Sequence, residues 1–226
     1  MKVVCYITII IGLIILGFSK TYGIWSLLQD TETQGAGNVN YSGYITLPLY
    51  LTTYARDEAI RNAGDRKYKV YGGAIRYGIN KNFDFSINGN YSINSSIGIG
   101  LKYRIEKHFA TICGIDYILN EMVLSPSGAV IATLPLNKNF SLYGGLKAFY
   151  WQNFYVNQTD RRDHFDLVLS GGLHIFRKEG FRDIRVLSFL PLGVYLELGY
   201  PINLGENALT VSLGLDGFLG FSLPKI

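Results

Sequence analysis

A two-residue alternation between apolar and polar side chains limits what this chain can fold into. From Phe83 to Tyr91 the odd positions read Phe83, Phe85, Ile87, Gly89 and Tyr91, and the even positions read Asp84, Ser86, Asn88 and Asn90. Successive side chains on a strand point to opposite faces, so this period makes a β-strand with one apolar and one polar face. The same period returns at Ile97, Ile99, Leu101, Tyr103 and Ile105, set against Gly98, Gly100, Lys102 and Arg104. It returns again at Leu209, Val211, Leu213 and Leu215, set against Thr210, Ser212, Gly214 and Asp216.

Looser copies occupy roughly Gly37 to Thr53, Tyr68 to Ile79, Phe109 to Leu119, Gly128 to Leu136, Phe140 to Trp151, Phe165 to Phe176 and Gly193 to Tyr200. The pattern predicts about ten strands, with a range of eight to twelve. Three connections share the form aliphatic, polar, Lys, polar, Phe: Ile79 to Phe83, Ile105 to Phe109 and Leu136 to Phe140. Like turns imply one common end of the sheet. The alternate connections are more variable, among them Ala55 to Lys67, Asn120 to Ser127, and Gln152 to His164 with its Asp160-Arg161-Arg162-Asp163 tip. Short turns at one end and longer polar loops at the other are the layout of a membrane barrel. Residues 177–192 carry mixed charge and Pro191 and are left without an assigned element.

The charges follow the faces. Arg76, Asp84, Lys102, Arg104, Asp116, Lys147, Asp166, Glu197 and Asp216 share the polar face of their strands, and His174 joins them. Hydrocarbon disfavours charge strongly, so the apolar face is expected to meet lipid and the polar face to line an interior. Tyr77, Phe83, Tyr103, Phe109 and Phe140 fall on the apolar face beside the short turns, and Tyr91, Tyr117 and Tyr150 fall on it near the opposite ends. Two aromatic belts with aliphatic residues between them suit the two interfaces of a bilayer.

The start of the chain points to export. Lys2 precedes an uncharged run from Val3 to Phe18, and Ser19 to Gly23 is small and polar enough to hold a cleavage site, so residues 1–23 read as a signal peptide and 24–226 as the barrel domain. Cys5 lies in that signal, which leaves Cys113 alone in the mature chain, where a lone thiol makes no internal disulfide. The formal charge of +4 includes Lys2 and Lys20, so little remains to argue for nucleic acid.

The hairpin IRYGINKNFDFSING, Ile75 to Gly89, followed by IGIGLKYRI, Ile97 to Ile105, resembles the strand-turn-strand pattern of small bacterial outer-membrane β-barrel proteins. The resemblance extends loosely from about Gly35 to the C-terminus. It implies an all-β, antiparallel, up-and-down transmembrane barrel in a bacterial outer membrane, with membrane lipids and the barrel assembly machinery as partners. Such proteins usually end on an aromatic residue, whereas here Phe221 is followed by Ser222 to Ile226.

Chemistry is sparse. His174, Ser170 and Asp166 share one face of one strand at two-residue steps, which sets them in line, while a nucleophile needs its base within hydrogen-bond reach. No glycine-rich phosphate loop opens a helix, and the histidines are too scattered for a metal site, so no catalytic residue, cofactor or metal is assigned. The leading expectation is a non-enzymatic barrel, either a narrow passive pore or a structural element. An outer-membrane enzyme acting on lipid A or phospholipid and a soluble periplasmic ligand-binding barrel are the alternatives. Ten strands lie near the filled end of the barrel series, so any pore is expected to be small. An ion-paired plug is expected around Asp84, with Arg76 diagonal to it. If the next connection centres on Asn94, Arg104 faces Asp84 and Lys102 faces Ser86.

Overall fold

The structure, a computed structural model, describes residues 27, 29–51, 53, 57, 70–91, 95–119, 123–151, 164–176, 191–202 and 208–222. The expected signal peptide, the Asp160 to Asp163 loop tip and residues 177–190 lie outside the described residues.

Ten strands form in chain order: β1 Asn38–Tyr50, β2 Val70–Gly78, β3 Phe83–Tyr91, β4 Ser96–Glu106, β5 Phe109–Ile118, β6 Val123–Pro135, β7 Phe140–Trp151, β8 His164–Phe176, β9 Pro191–Pro201 and β10 Ala208–Ser222. Each pairs antiparallel with its neighbour in sequence, and β1 closes on β10 from Asn38 opposite Ser222 to Tyr50 opposite Ala208. The result is a closed, all-antiparallel β-barrel. Closure removes the unpaired edges that an open sheet would present.

The repeated turn has a local cause. Asn80 Oδ1 accepts from the backbone N–H groups of Asn82 and Phe83, at 2.8 and 3.0 Å, and Asn137 Oδ1 accepts from Asn139 N at 2.8 Å. Asparagine thereby supplies the turn with acceptors that the backbone lacks. Ile79 N bonds Phe83 O and Leu136 N bonds Phe140 O, both at 2.9 Å, so the two turns close alike. The third copy has Glu106 in place of asparagine and closes through a register shift between Arg104 and Glu106.

Two sequence boundaries move. β6 starts at Val123, not Gly128, because Ser125-Pro126-Ser127 continues the alternation although its residues favour turns: Ser125 is buried inside and Pro126 is exposed outside. Pro191 and Leu192, within the unassigned stretch, open β9.

Outside, apolar side chains stand exposed around the wall, among them Ile97 at 55%, Ile99 at 50% and Leu198 at 54%. So continuous an apolar belt is costly in water and is satisfied by hydrocarbon. Phe83 and Tyr103 stack across β3 and β4 with ring centroids 4.6 Å apart, beside the short turns. The interior is less polar than the alternation suggests. Ile118, Val123, Phe149 and Val168 form a buried apolar cluster inside the wall.

Candidate functional site

The polar faces of the strands line the lumen of the barrel, and the chain enters it before β1 begins. Residues 27 and 29–36 precede the first strand, and the positive φ angles of Gly35 (76°) and Gly37 (83°) turn this segment back from the short-turn rim into the barrel. Side chains other than glycine rarely adopt that backbone conformation. Gly78 takes part as well, because a Cβ there would run into the Gly35 carbonyl.

The segment is bonded to the wall along its length. Thr33 Oγ1 donates to Lys81 O in the β2–β3 turn at 2.8 Å, and Thr31 Oγ1 donates to Lys107 O in the β4–β5 turn at 3.1 Å. Thr31 N donates to Thr133 Oγ1 on β6 at 3.0 Å, and Leu27 N donates to Glu197 Oε1 on β9 at 2.7 Å. The Leu27 side chain packs in an apolar cluster with Ala129, Ile131, Tyr143 and Tyr195. Buried backbone N–H groups need partners, and here lumen side chains supply them where a sheet neighbour cannot.

Four of the charged lumen residues organise around this segment. Asp84, almost fully buried, accepts from Gln34 N at 3.0 Å and lies 3.6 Å from Lys102 Nζ. Lys102 Nζ also donates to the Glu32 carbonyl and, at 3.4 Å, to the Asp30 carbonyl. His174 Nδ1 lies 2.7 Å from Asp30 Oδ2, its Nε2 lies 3.8 Å from Asp216 Oδ1, and its ring stacks on Tyr195 at 3.8 Å between centroids. Glu197 holds Leu27 N with one oxygen and accepts from Tyr143 Oη at 2.9 Å with the other.

The remaining residues stand apart from these contacts. Asp116 accepts from Asn88 Nδ2 at 2.6 Å, and Lys147 sits 5.6 Å from the centroid of the Phe149 ring. Asp166 is fully buried opposite Phe149, near the loop end. Arg76 lies opposite Ser86 on β3 and is buried. Arg104 is not part of the Asp84 group: its Nη2 donates to Lys81 O at 2.9 Å at the turn rim. The β3–β4 connection pairs Asn90 with Ser96, one residue earlier than a centre at Asn94, so Lys102 faces Asp84 and Gly100 faces Ser86. A one-residue shift of the centre moves every partner by two.

The threaded segment was not visible in the sequence, because residues 24–36 lack the two-residue period. Asp30 and Glu32 hint at it, as carboxylates just ahead of a lumen that carries Lys102 and His174. Among the described residues no group of three or more His, Cys, Asp or Glu side chains is arranged to hold a metal.

No family model matches the chain, and no curated protein matches it. Among solved structures it is similar to the NanC porin, at TM-score 0.40 and 9% identity over 80% of this chain and 98% of that one. It is similar to the KdgM porin at TM-score 0.38 and 8% identity, covering 83% of this chain and 99% of that one. It is also similar to the N-terminal β-barrel domain of Pseudomonas aeruginosa OprF, at TM-score 0.35 and 12% identity over 82% of this chain and all of that one (100%). Likenesses this distant concern architecture alone.

Proposed function

We propose that the chain is a non-enzymatic barrel of a bacterial outer membrane, exported by removal of residues 1–23, whose narrow pore is held closed at rest by its own residues 27–36. The observation that carries this reading is the bonding of the segment to β3, β4, β6, β8 and β9 at once, which leaves little of the cross-section for solute. The exposed apolar belt argues against a soluble ligand-binding barrel. Against an enzyme stands the setting of His174, whose two ring nitrogens both face carboxylates, an arrangement that offers no base to a serine.

The buried cluster of Ile118, Val123, Phe149 and Val168 favours a second reading, a structural barrel that never conducts. Planar-bilayer recording of protein purified from membranes separates the two. The intact protein is expected to be silent or to flicker, and deletion of residues 24–36 is expected to give stable small steps. Silence from the deleted protein across many insertions, with its heat-modifiable gel shift retained, would leave the structural reading.

A further inference from the structure

Arg76 is a charged lumen residue outside the contacts that hold the threaded segment. Arg76 is 5% exposed, and its buried Nε has no hydrogen-bond partner among the described residues. A buried guanidinium N–H without an acceptor is disfavoured, because its desolvation is not repaid by a hydrogen bond even where a carboxylate such as Asp84 acts on the charge from nearby. Arg76 lines a cavity of about 100 Å³ between the wall and the threaded segment. The space exists because the inward positions of β4 and β5 at this level are Gly100 and Gly114, which send no side chain into it.

The lining has two characters. Lys147 and Asp116 share it with Arg76, so the residues that line it carry two cations and one carboxylate, a formal excess of one positive charge in the lining. Ser86 adds a hydroxyl, while Leu27 and Ile112 add apolar surface. A guanidinium presents a planar fork of donors that matches a carboxylate with two parallel bonds. A single excess positive charge suits a monoanion, and the Asp116 carboxylate opposes a dianion. The volume corresponds to roughly seven to ten water-sized spheres, enough for a carboxylate with a short chain.

We propose that this cavity is a binding site for a short aliphatic monocarboxylate, with its carboxylate on Arg76, assisted by Lys147, and its chain against Leu27 and Ile112. The site goes beyond the pore reading and does not depend on conduction.

The test uses [1-13C]propionate as the probe and the full protein purified from membranes into detergent. The propionate resonance is expected to broaden with the protein, and that of methylammonium is not. Arg76→Gln is expected to weaken propionate binding about tenfold or more, the usual loss when charge-assisted bonds to a ligand are removed. Arg104→Gln, at the rim, is expected to keep it. Arg76→Gln is also expected to raise the temperature of the gel-shift transition without propionate, whereas an arginine serving only structure would lower it. Should Arg76→Gln fail to assemble, Ser86→Leu keeps the arginine, fills the cavity and is expected to lose binding. Absence of broadening with the unaltered protein, equal broadening of methylammonium, or binding retained in Arg76→Gln or Ser86→Leu would each overturn the proposal.

Discussion

Lys102 shows how much one lumen side chain can hold. Its ammonium is buried between the Asp84 carboxylate on the adjacent strand and two carbonyls of the threaded segment, so it joins wall to wall and wall to segment. Removing one member of a buried pair strands the other, which costs far more than losing an exposed pair. Lys102→Met and Asp84→Asn are therefore each expected to lower stability by about 3 kcal/mol, read from the urea midpoint of the gel-shift transition. Arg104→Gln removes a contact at the exposed rim and is expected to cost about 0 to 1 kcal/mol. Equal midpoints for all three variants would show that Asp84 and Lys102 are solvated. Alternation places these residues on a shared face but leaves their partner open, since the pairing of Asp84 with Lys102 depends on where an irregular connection turns.

At the level of elements, β4 tests the assignment of faces. Ile99 stands in the middle of a row, between Ile87 on β3 and Ile115 on β5, and half of its surface is exposed outward. Ile99→Arg is expected to obstruct assembly at a cost of roughly 2 to 4 kcal/mol, as charge near a bilayer midplane does. Gly98 and Gly100 face inward on the same strand, so a lumen-facing Ile99 would make an arginine there tolerable, and normal assembly of the variant would invert the faces. The strands were legible in the sequence because a closed wall with an apolar outer face and a largely polar lumen imposes a two-residue period. The asparagine turns were legible because their chemistry is local. The threaded segment was not, because its partners are separated from it by up to 170 residues and its conformation follows no period.

For the whole molecule, the proposed function rests on the lumen rather than on the wall. Ten strands enclose a narrow interior that side chains can largely fill. Tyr143, Tyr195 and Leu27 fill one part, and Phe149 with Val168 fills another. The arrangement of individual pairs matters in such a barrel, since Asp30, Asp84, Asp116 and Glu197 each lie within reach of a specific donor.

The threading of residues 27–36 also sets an order of events. Glu197, which receives Leu27 N, and Asp216, which faces His174 beside Asp30, belong to the last two strands, so the segment ahead of β1 has its full set of partners only once β9 and β10 are in place. Contacts this distant along the chain form slowly. During refolding into detergent, the compact gel form is expected to appear before residues 24–36 become resistant to protease, and simultaneous protection would mean that closure of the wall and filling of the lumen are one step. On the outer-membrane reading proposed above, that interval is a period in which a finished wall stands with an undocked segment ahead of β1, within reach of periplasmic proteases and chaperones.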